Sequence, residues 1–324
     1  MDFKPASIRT LSMLGQRGAF GQALMELGRD NENIIALSAD LCNTSGLDRF
    51  KKAYPDRFIN VGIAEQNMVG IAAGLASRGK IPFATTFANF AALRACEQVR
   101  HFMGYMYENV KLVGFGAGFS FGMFGTTHYA VEDIAALRAI NHLIILSPSD
   151  GVCVVKAVEA AARINAPVYL RLSGTMNNPV VYKEDFDFEI GKAITLREGV
   201  DVAVIATGTM VYNALKAAEK LAENGVSVKV VDMHTIKPLD VEAIKAARSA
   251  KLLVTVEEHS VYGGLGGAVA EALALEQKRP PHLIIGTRNE YPHAGDFGYM
   301  QKVHGLTPDQ IALKIQKTYE EICK

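Results

Sequence analysis

Cysteine is scarce: the 324 residues hold four, and Cys42, Cys96, Cys153 and Cys323 never form a Cys-x-x-Cys pair. Neither a disulfide framework nor a zinc site is suggested, and a reducing cytoplasm fits. His234, His259, His293 and His304 also lack metal-ligand spacing and read as structural histidines. An excess of one charge is missing too, since Lys+Arg and Asp+Glu both number 34. Nothing in that balance favours nucleic acid or a membrane surface as partner, and a small substrate is expected. No apolar run is long enough to span a bilayer. The first thirty residues carry Asp2, Lys4, Arg9, Arg17 and Arg29 and show no export signal. Fixed-period repeats and low-complexity segments are absent as well.

What is present is an ordinary globular composition, 49% hydrophobic and 21% charged, in a chain long enough for two α/β domains. Short β-branched runs at 34–37, 82–86, 110–115, 143–146 and 168–172 alternate with Ala- and Glu-rich stretches, which predicts a parallel sheet covered by helices. Periodicity lapses over Gly174–Glu189, where polar and turn-forming residues collect. A second alternation follows: strands at 202–205, 226–231, 252–257 and 283–285, with helices near 211–223 and 241–250 and from about Gly264. The expected fold class is therefore α/β, two domains at 1–184 and 185–324, each a mostly parallel sheet with helices on both faces.

Three segments carry candidate chemistry. In NVGIAEQNMVGIAAG (60–74), Glu65 follows a strand-like run and opens a helix of small residues that lets another surface approach closely. A second chain covering it would desolvate the carboxyl group and favour its protonated form, ready to trade a proton with a ring nitrogen. The plainer alternative is a glutamate facing the positive end of a helix. In PFATTFANFAALRACEQVR (82–100), Phe87 and Phe90 lie three apart at a strand-to-helix junction. They either stack on a flat heterocycle or belong to the core. In GMFGTTHYAVEDIAALR (122–138), a glycine-rich loop presents His128, which is either a proton-handling group or structural.

Together these segments resemble the transketolase family, in its pyrimidine-binding and C-terminal domains, over essentially the full length. The resemblance implies a thiamine diphosphate-dependent transferase of two-carbon ketol units, from a ketose-type donor to an aldose-type acceptor. By the same resemblance Glu65 hydrogen-bonds the aminopyrimidine nitrogen, and its proton drives the switch that activates the cofactor. Phe87 and Phe90 flank the pyrimidine, with Leu93 where the family has a third aromatic. Asp40 and Leu41, in Ser38-Ala39-Asp40-Leu41, lie near the cofactor and support its bent shape. His128 contacts the donor hydroxyl and the covalent intermediate, and Arg17 binds the distal acid group of the substrate.

Departures from the family pattern point one way. Phe124 stands where sugar-phosphate transketolases have an aspartate that reads a donor hydroxyl, and Gly116 where they have a phosphate-binding histidine. Leu172-Ser173-Gly174-Thr175 lacks the usual arginine, although Arg171 is close by. An ordinary ketose phosphate is therefore not assumed, and a non-phosphorylated, sulfonated, nucleotide-linked or otherwise modified sugar stands as an alternative, because charge-assisted phosphate contacts are lost. The family's cation signature, Gly-Asp-Gly with a downstream Asn-Asn, is missing, and Asn177-Asn178 reads as a turn. No metal is therefore expected on this chain. Mg²⁺ (or Ca²⁺) and the diphosphate are expected on an N-terminal partner subunit, in an α2β2 heterotetramer. Gly263–Ala268 resembles a dinucleotide loop but lacks the full Gly-x-Gly-x-x-Gly spacing. The alternatives are the β subunit of a 2-oxo-acid dehydrogenase decarboxylating component, against which the GTTHYAVEDIAALR segment argues, and a non-catalytic regulatory subunit, against which Glu65 argues.

Overall fold

The structure, a computed structural model, describes residues 3–173 and 175–324; Asp2 and Gly174, named above, lie outside them. Helix α1 (Pro5–Asp30) leads into β1 (Ile34–Ser38), α2 (Asp48–Ala53), β2 (Phe58–Asn60), α3 (Glu65–Ala76), β3 (Ile81–Phe87), α4 (Cys96–Gln98), β4 (Lys111–Ala117), α5 (Asp133–Arg138), β5 (Ile144–Leu146), α6 (Gly151–Arg163) and β6 (Val168–Ser173). The second half runs β7 (Ile194–Arg197), β8 (Val202–Ala206), α7 (Met210–Glu223), β9 (Val228–Asp232), β10 (Thr235–Lys237), α8 (Val241–Ala247), β11 (Leu252–Ser260), α9 (Leu265–Ala272), β12 (His282–Thr287), α10 (Phe297–His304) and α11 (Pro308–Ile322).

The first sheet has the order β10-β5-β6-β4-β3-β1-β2 and the second β12-β11-β8-β9-β7. Both are parallel except at one edge, where β10 and β7 pair antiparallel to their neighbours. Every residue of β1, β4, β6 and β8 is buried. Helices on both faces require continuous apolar strands, which is why these runs were legible as strands. The three-residue β2 and β10 and the half-exposed β7 carry no such run.

The two halves are not independent bodies. Ile205, Val231 and Leu253 of the second sheet share one hydrophobic cluster with Leu37 and Leu112 of the first and with Met68 of α3. Among its described residues, 175–189, the stretch where the periodicity lapses contains no helix or strand, yet it is strapped down. Asp150 accepts the N–H groups of Val181 and Tyr182 at 2.8 and 2.9 Å, and the Tyr182 hydroxyl donates to Asp232 at 2.8 Å. Burial pushes Asp232 up to about 7. As expected, Asn177 turns the chain, at φ 56°.

One ion pair lies deep in this shared interior. Arg171 on β6 donates to Asp133 at 2.8 Å, with side chains 5% and 0% exposed, and to the carbonyls of Ala130 and Glu258, both at 3.0 Å. Arg171 is thus committed to structure rather than to a ligand. Removing one partner of such a pair strands a buried charge, so Arg171→Leu should lower unfolding free energy by about 3–5 kcal/mol. Restoring neutrality with Asp133→Asn in the same chain should recover part of it. Urea unfolding checks both, and a loss below about 1 kcal/mol would show the charge to be solvated on its own.

Candidate active site at the carboxyl ends of the first sheet

In an open parallel sheet, the crevice beyond the carboxyl ends of the strands is where ligands bind. Here β1, β2, β3, β4 and β6 end at Ser38, Asn60, Phe87, Ala117 and Ser173, and the expected site residues other than Arg17, which is on α1, lie at or after those ends.

After β1 the chain turns tightly. The Ser38 hydroxyl accepts the N–H of Leu41 at 2.9 Å, and Asp40 takes a left-handed conformation at φ 59°. Asn60, at the end of β2, clamps this turn: its Oδ1 accepts from the Asp40 and Gly62 backbones at 3.0 and 3.1 Å, and its amide donates to the Asp40 carboxylate at 3.0 Å. Asn60 thereby joins the Asp40-Leu41 turn to the segment that delivers Glu65. Glu65 is the first residue of α3, as expected, and is only 3% exposed. It is not covered by apolar surface alone. The Arg94 guanidinium donates to its Oε1 at 2.7 Å and lies over the Phe90 ring, 3.8 Å from the centroid.

Phe87, the last residue of β3, is the hub of an aromatic cluster. Its ring centroid lies 5.6 Å from Phe90, 4.8 Å from Phe115, 5.0 Å from Phe121 and 5.2 Å from His128. Phe87 is therefore nearly enclosed, whereas Phe90 keeps part of its surface. Leu93 points outward, 51% exposed. Gly116, at φ 73°, fits beneath this cluster because a Cβ there would come within 2.5 Å of the Phe121 ring.

His128 sits at the end of the glycine loop, against Phe87, Phe90 and Phe124. Thr127 Oγ1 lies 3.0 Å from its Nδ1. Burial lowers its pKa, with the Arg94 charge as a smaller cause. A neutral imidazole accepts a proton or a hydrogen bond from a hydroxyl. Phe124 stacks on Phe121 at 5.6 Å and is 59% exposed, and Met123 beside it is 70% exposed, so the lip of the crevice is apolar.

Arg17 reaches the opposite end because α1 breaks at Gly15, φ 69° and ψ 179°. A side chain at Gly15 would meet the Thr175 carbonyl oxygen at 2.2 Å. Past the break, buried Gln16 bridges the Pro148 carbonyl at 2.9 Å and the Ser173 N–H at 2.7 Å. Arg17 donates to the Thr44 carbonyl at 2.6 Å and lies over Phe121 at 5.2 Å, with burial lowering its pKa. Contacts thus run unbroken from Arg17 through Phe121, Phe124, His128, Phe90 and Arg94 to Glu65.

Sequence reasoning passed over four residues that hold this arrangement: Gln16, Asn60, Arg94 and Glu258. Asn60 and Arg94 stood inside the segments already singled out. Glu258 comes from the second sheet. It accepts the Phe119 N–H at 2.6 Å and the Thr209 hydroxyl at 2.9 Å, filling the space beside Gly118, and so anchors the start of the loop that presents His128. Burial pushes it up to about 7. The Gly263–Ala268 loop is closed to a dinucleotide, since Glu257 already accepts the N–H groups of Leu265 and Gly266 at 2.7 and 2.8 Å. Among the described residues no cluster of three His, Cys, Asp or Glu side chains is placed to hold a metal, and no helix is long and apolar enough to cross a membrane.

The residues present fit one end of thiamine diphosphate. A buried carboxyl group is joined through Arg94 to a partly exposed phenylalanine ring, as an aminopyrimidine site requires, while for the diphosphate end the described residues hold no cation-binding set.

Two family models match the chain, the transketolase pyrimidine binding domain over residues 12–178 and the transketolase C-terminal domain over 191–311. A transketolase C-terminal section from Methanocaldococcus jannaschii is 42% identical, over 94% of this chain and 96% of its own length. A 6-deoxy-6-sulfo-D-fructose transketolase subunit from a Clostridium species is 40% identical, over 91% of each. The solved structure of a split-gene transketolase, described as an inactive β4 tetramer, superposes with a TM-score of 0.85 at 41% identity, over 94% of this chain and 98% of that one. The chain belongs to the transketolase family, a family of transferases, and comprises its pyrimidine-binding and C-terminal domains.

Proposed function

We propose that this chain is the C-terminal subunit of a two-chain, thiamine diphosphate-dependent transketolase that passes a two-carbon ketol unit from a ketose-type donor to an aldose-type acceptor. The observation that carries it is Glu65, a carboxyl group buried at the head of α3 beside Phe90, on a chain whose described residues offer no cation-binding cluster. Half of an active site is what that combination describes. An N-terminal subunit would supply the diphosphate pocket and Mg²⁺ (or Ca²⁺), in a cytoplasmic α2β2 assembly, with the division between the two domains of this chain at 184/185.

When bound, the cofactor supplies the carbanion chemistry of ketol transfer. The residues of this chain have separate tasks. Glu65 holds and gives the proton at the pyrimidine nitrogen. Phe90, backed by Phe87, orients the ring, and the Asp40-Leu41 turn lies alongside it. His128, kept neutral by burial, takes a hydrogen bond from the donor hydroxyl. Arg17 receives the distal acid group, and the apolar shelf of Phe121 and Phe124 excludes water. Phe124 offers no acceptor to a donor hydroxyl, and Gly116 no cation to a phosphate. A sulfonated or otherwise modified sugar suits this lining better than an ordinary ketose phosphate, and the Clostridium relative is named for such a sugar.

With an N-terminal subunit added, Glu65→Gln should lower kcat by about 10²–10⁴-fold while circular dichroism stays unchanged. Unchanged turnover would remove Glu65 from the chemistry. Lipoamide-dependent oxidation of a 2-oxo acid by the same pair would place the chain with the decarboxylating dehydrogenases. In a donor panel, kcat/KM for sulfonated or otherwise modified ketoses should exceed that for xylulose 5-phosphate by about tenfold or more, one good charge-assisted contact being the difference. Equal values would overturn the reading of Phe124 and Gly116.

A further inference from the structure

Arg94 occupies a position that the proposed chemistry needs for something else. Its guanidinium donates to Glu65 Oε1 at 2.7 Å and covers Phe90 at 3.8 Å from the ring centroid. A ring stacked on the Phe90 face that Arg94 covers and hydrogen-bonded to Glu65 Oε1 would need that same volume and that same oxygen. The two occupants exclude one another, whichever arrives first.

The local backbone makes the exchange a side-chain movement. From Phe90 to Arg94 the helix widens to a π-turn, closed by the Ala95 N–H on the Phe90 carbonyl at 3.1 Å. Such turns recur at functional sites. The turn sends Leu93 to solvent and brings Arg94 back over Phe90. The Arg94 carbonyl accepts from the Gln66 side chain at 3.2 Å, so the backbone stays tied to α3 next to Glu65. The side chain itself is 46% exposed while that of Glu65 is 3% exposed. Arg94 thus has open water to swing into, and Glu65 has none. Energetically the latch is modest, since a half-exposed ion pair with a cation–π contact contributes little.

We propose that Arg94 is a displaceable counterion: it neutralises the buried Glu65 carboxylate and shields Phe90 until a flat heterocycle takes both contacts. The inference rests on the proposed role of Glu65. An unpaired carboxylate in that position would be costly, and a permanent Arg94 pair would keep the oxygen that the ring nitrogen needs. A counterion that leaves when the ring arrives meets both demands. It also explains why the charge lies on a long side chain rooted in the neighbouring turn rather than on a second buried group. His128 feels the same charge, which adds to burial in lowering its pKa.

Two measurements on Arg94→Gln and Arg94→Lys test it. In the chain reconstituted with an N-terminal subunit, thiamine diphosphate with Mg²⁺ is titrated calorimetrically. Arg94→Gln should bind it about 3- to 10-fold more tightly, the size of a half-exposed ion pair, and Arg94→Lys should stay close to the parent. In the full chain alone, the imidazole titration of His128 followed by NMR should move to higher pH in Arg94→Gln and not in Arg94→Lys. Cofactor affinity that is unchanged or weakened in Arg94→Gln, or a His128 titration that does not move, overturns the counterion role. Glu65→Gln separates the two readings. If it keeps full turnover, the proposed function fails whatever Arg94 does. If it is inactive while the Arg94 variants behave as the parent, Arg94 alone has been misassigned.

Discussion

Keeping one carboxyl group out of water is the constraint around which the site is arranged. Glu65 is 3% exposed, and an isolated buried charge of that kind would cost several kcal/mol. Two features offset this within the chain. The head of α3 presents positive backbone dipoles to the group, and Arg94 adds a full charge at 2.7 Å. Neither contact is apolar packing, which the residue could not have exchanged for a ligand. The burial of the group is therefore supported by interactions that another donor can replace.

Support for the rest of the crevice comes from beyond its own sheet. The loop that carries His128 is fixed at one end by Glu258, through the Phe119 N–H, and by the Gly118–Ala130 bridge. Arg171 ties the far end by holding the Ala130 carbonyl, the Glu258 carbonyl and Asp133 together. The second domain thus stiffens a loop whose sequence, rich in glycine, has little rigidity of its own. Such an arrangement accounts for the shared core: a hinge between the halves would let His128 drift from Phe87 and Phe90, and positioning within fractions of an ångström is what oriented catalysis depends on.

Much of the fold was legible for a plain physical reason. Strands buried on both faces are mostly apolar, so β1, β3, β4, β6 and β8 announce themselves. β10 does not, because three residues, Thr235, Ile236 and Lys237, carry no pattern, and its place on the first sheet is decided by tertiary contact with β5. At the site, Glu65, Phe87, Phe90 and His128 stood out through the spacing of their segments. Arg94 was in full view within LRACEQVR and still carried no signal, because its importance lies in what it touches across a π-turn. Arg171 shows the converse. Close to the expected substrate arginine in sequence, it faces the interior, since alternation along β6 sends neighbouring side chains to opposite faces.

The residues proposed to line the donor site also pack on each other, which limits how they can vary. Gly116 lacks a side chain because Phe121 fills the space above it, Phe121 carries both Arg17 and Phe124, and Phe124 leans on His128. An aspartate at 124 would strip the stack from Phe121 and place a carboxylate against a partly buried imidazole, whose pKa would then rise. A histidine at 116 would require Phe121 to leave first, and with it the ring that steadies Arg17. On the proposed reading, donor choice is therefore a property of the packed set. Close-packed interiors change by coordinated substitution, and a single exchange toward the sugar-phosphate pattern would disturb His128 and Arg17 before it created a new contact.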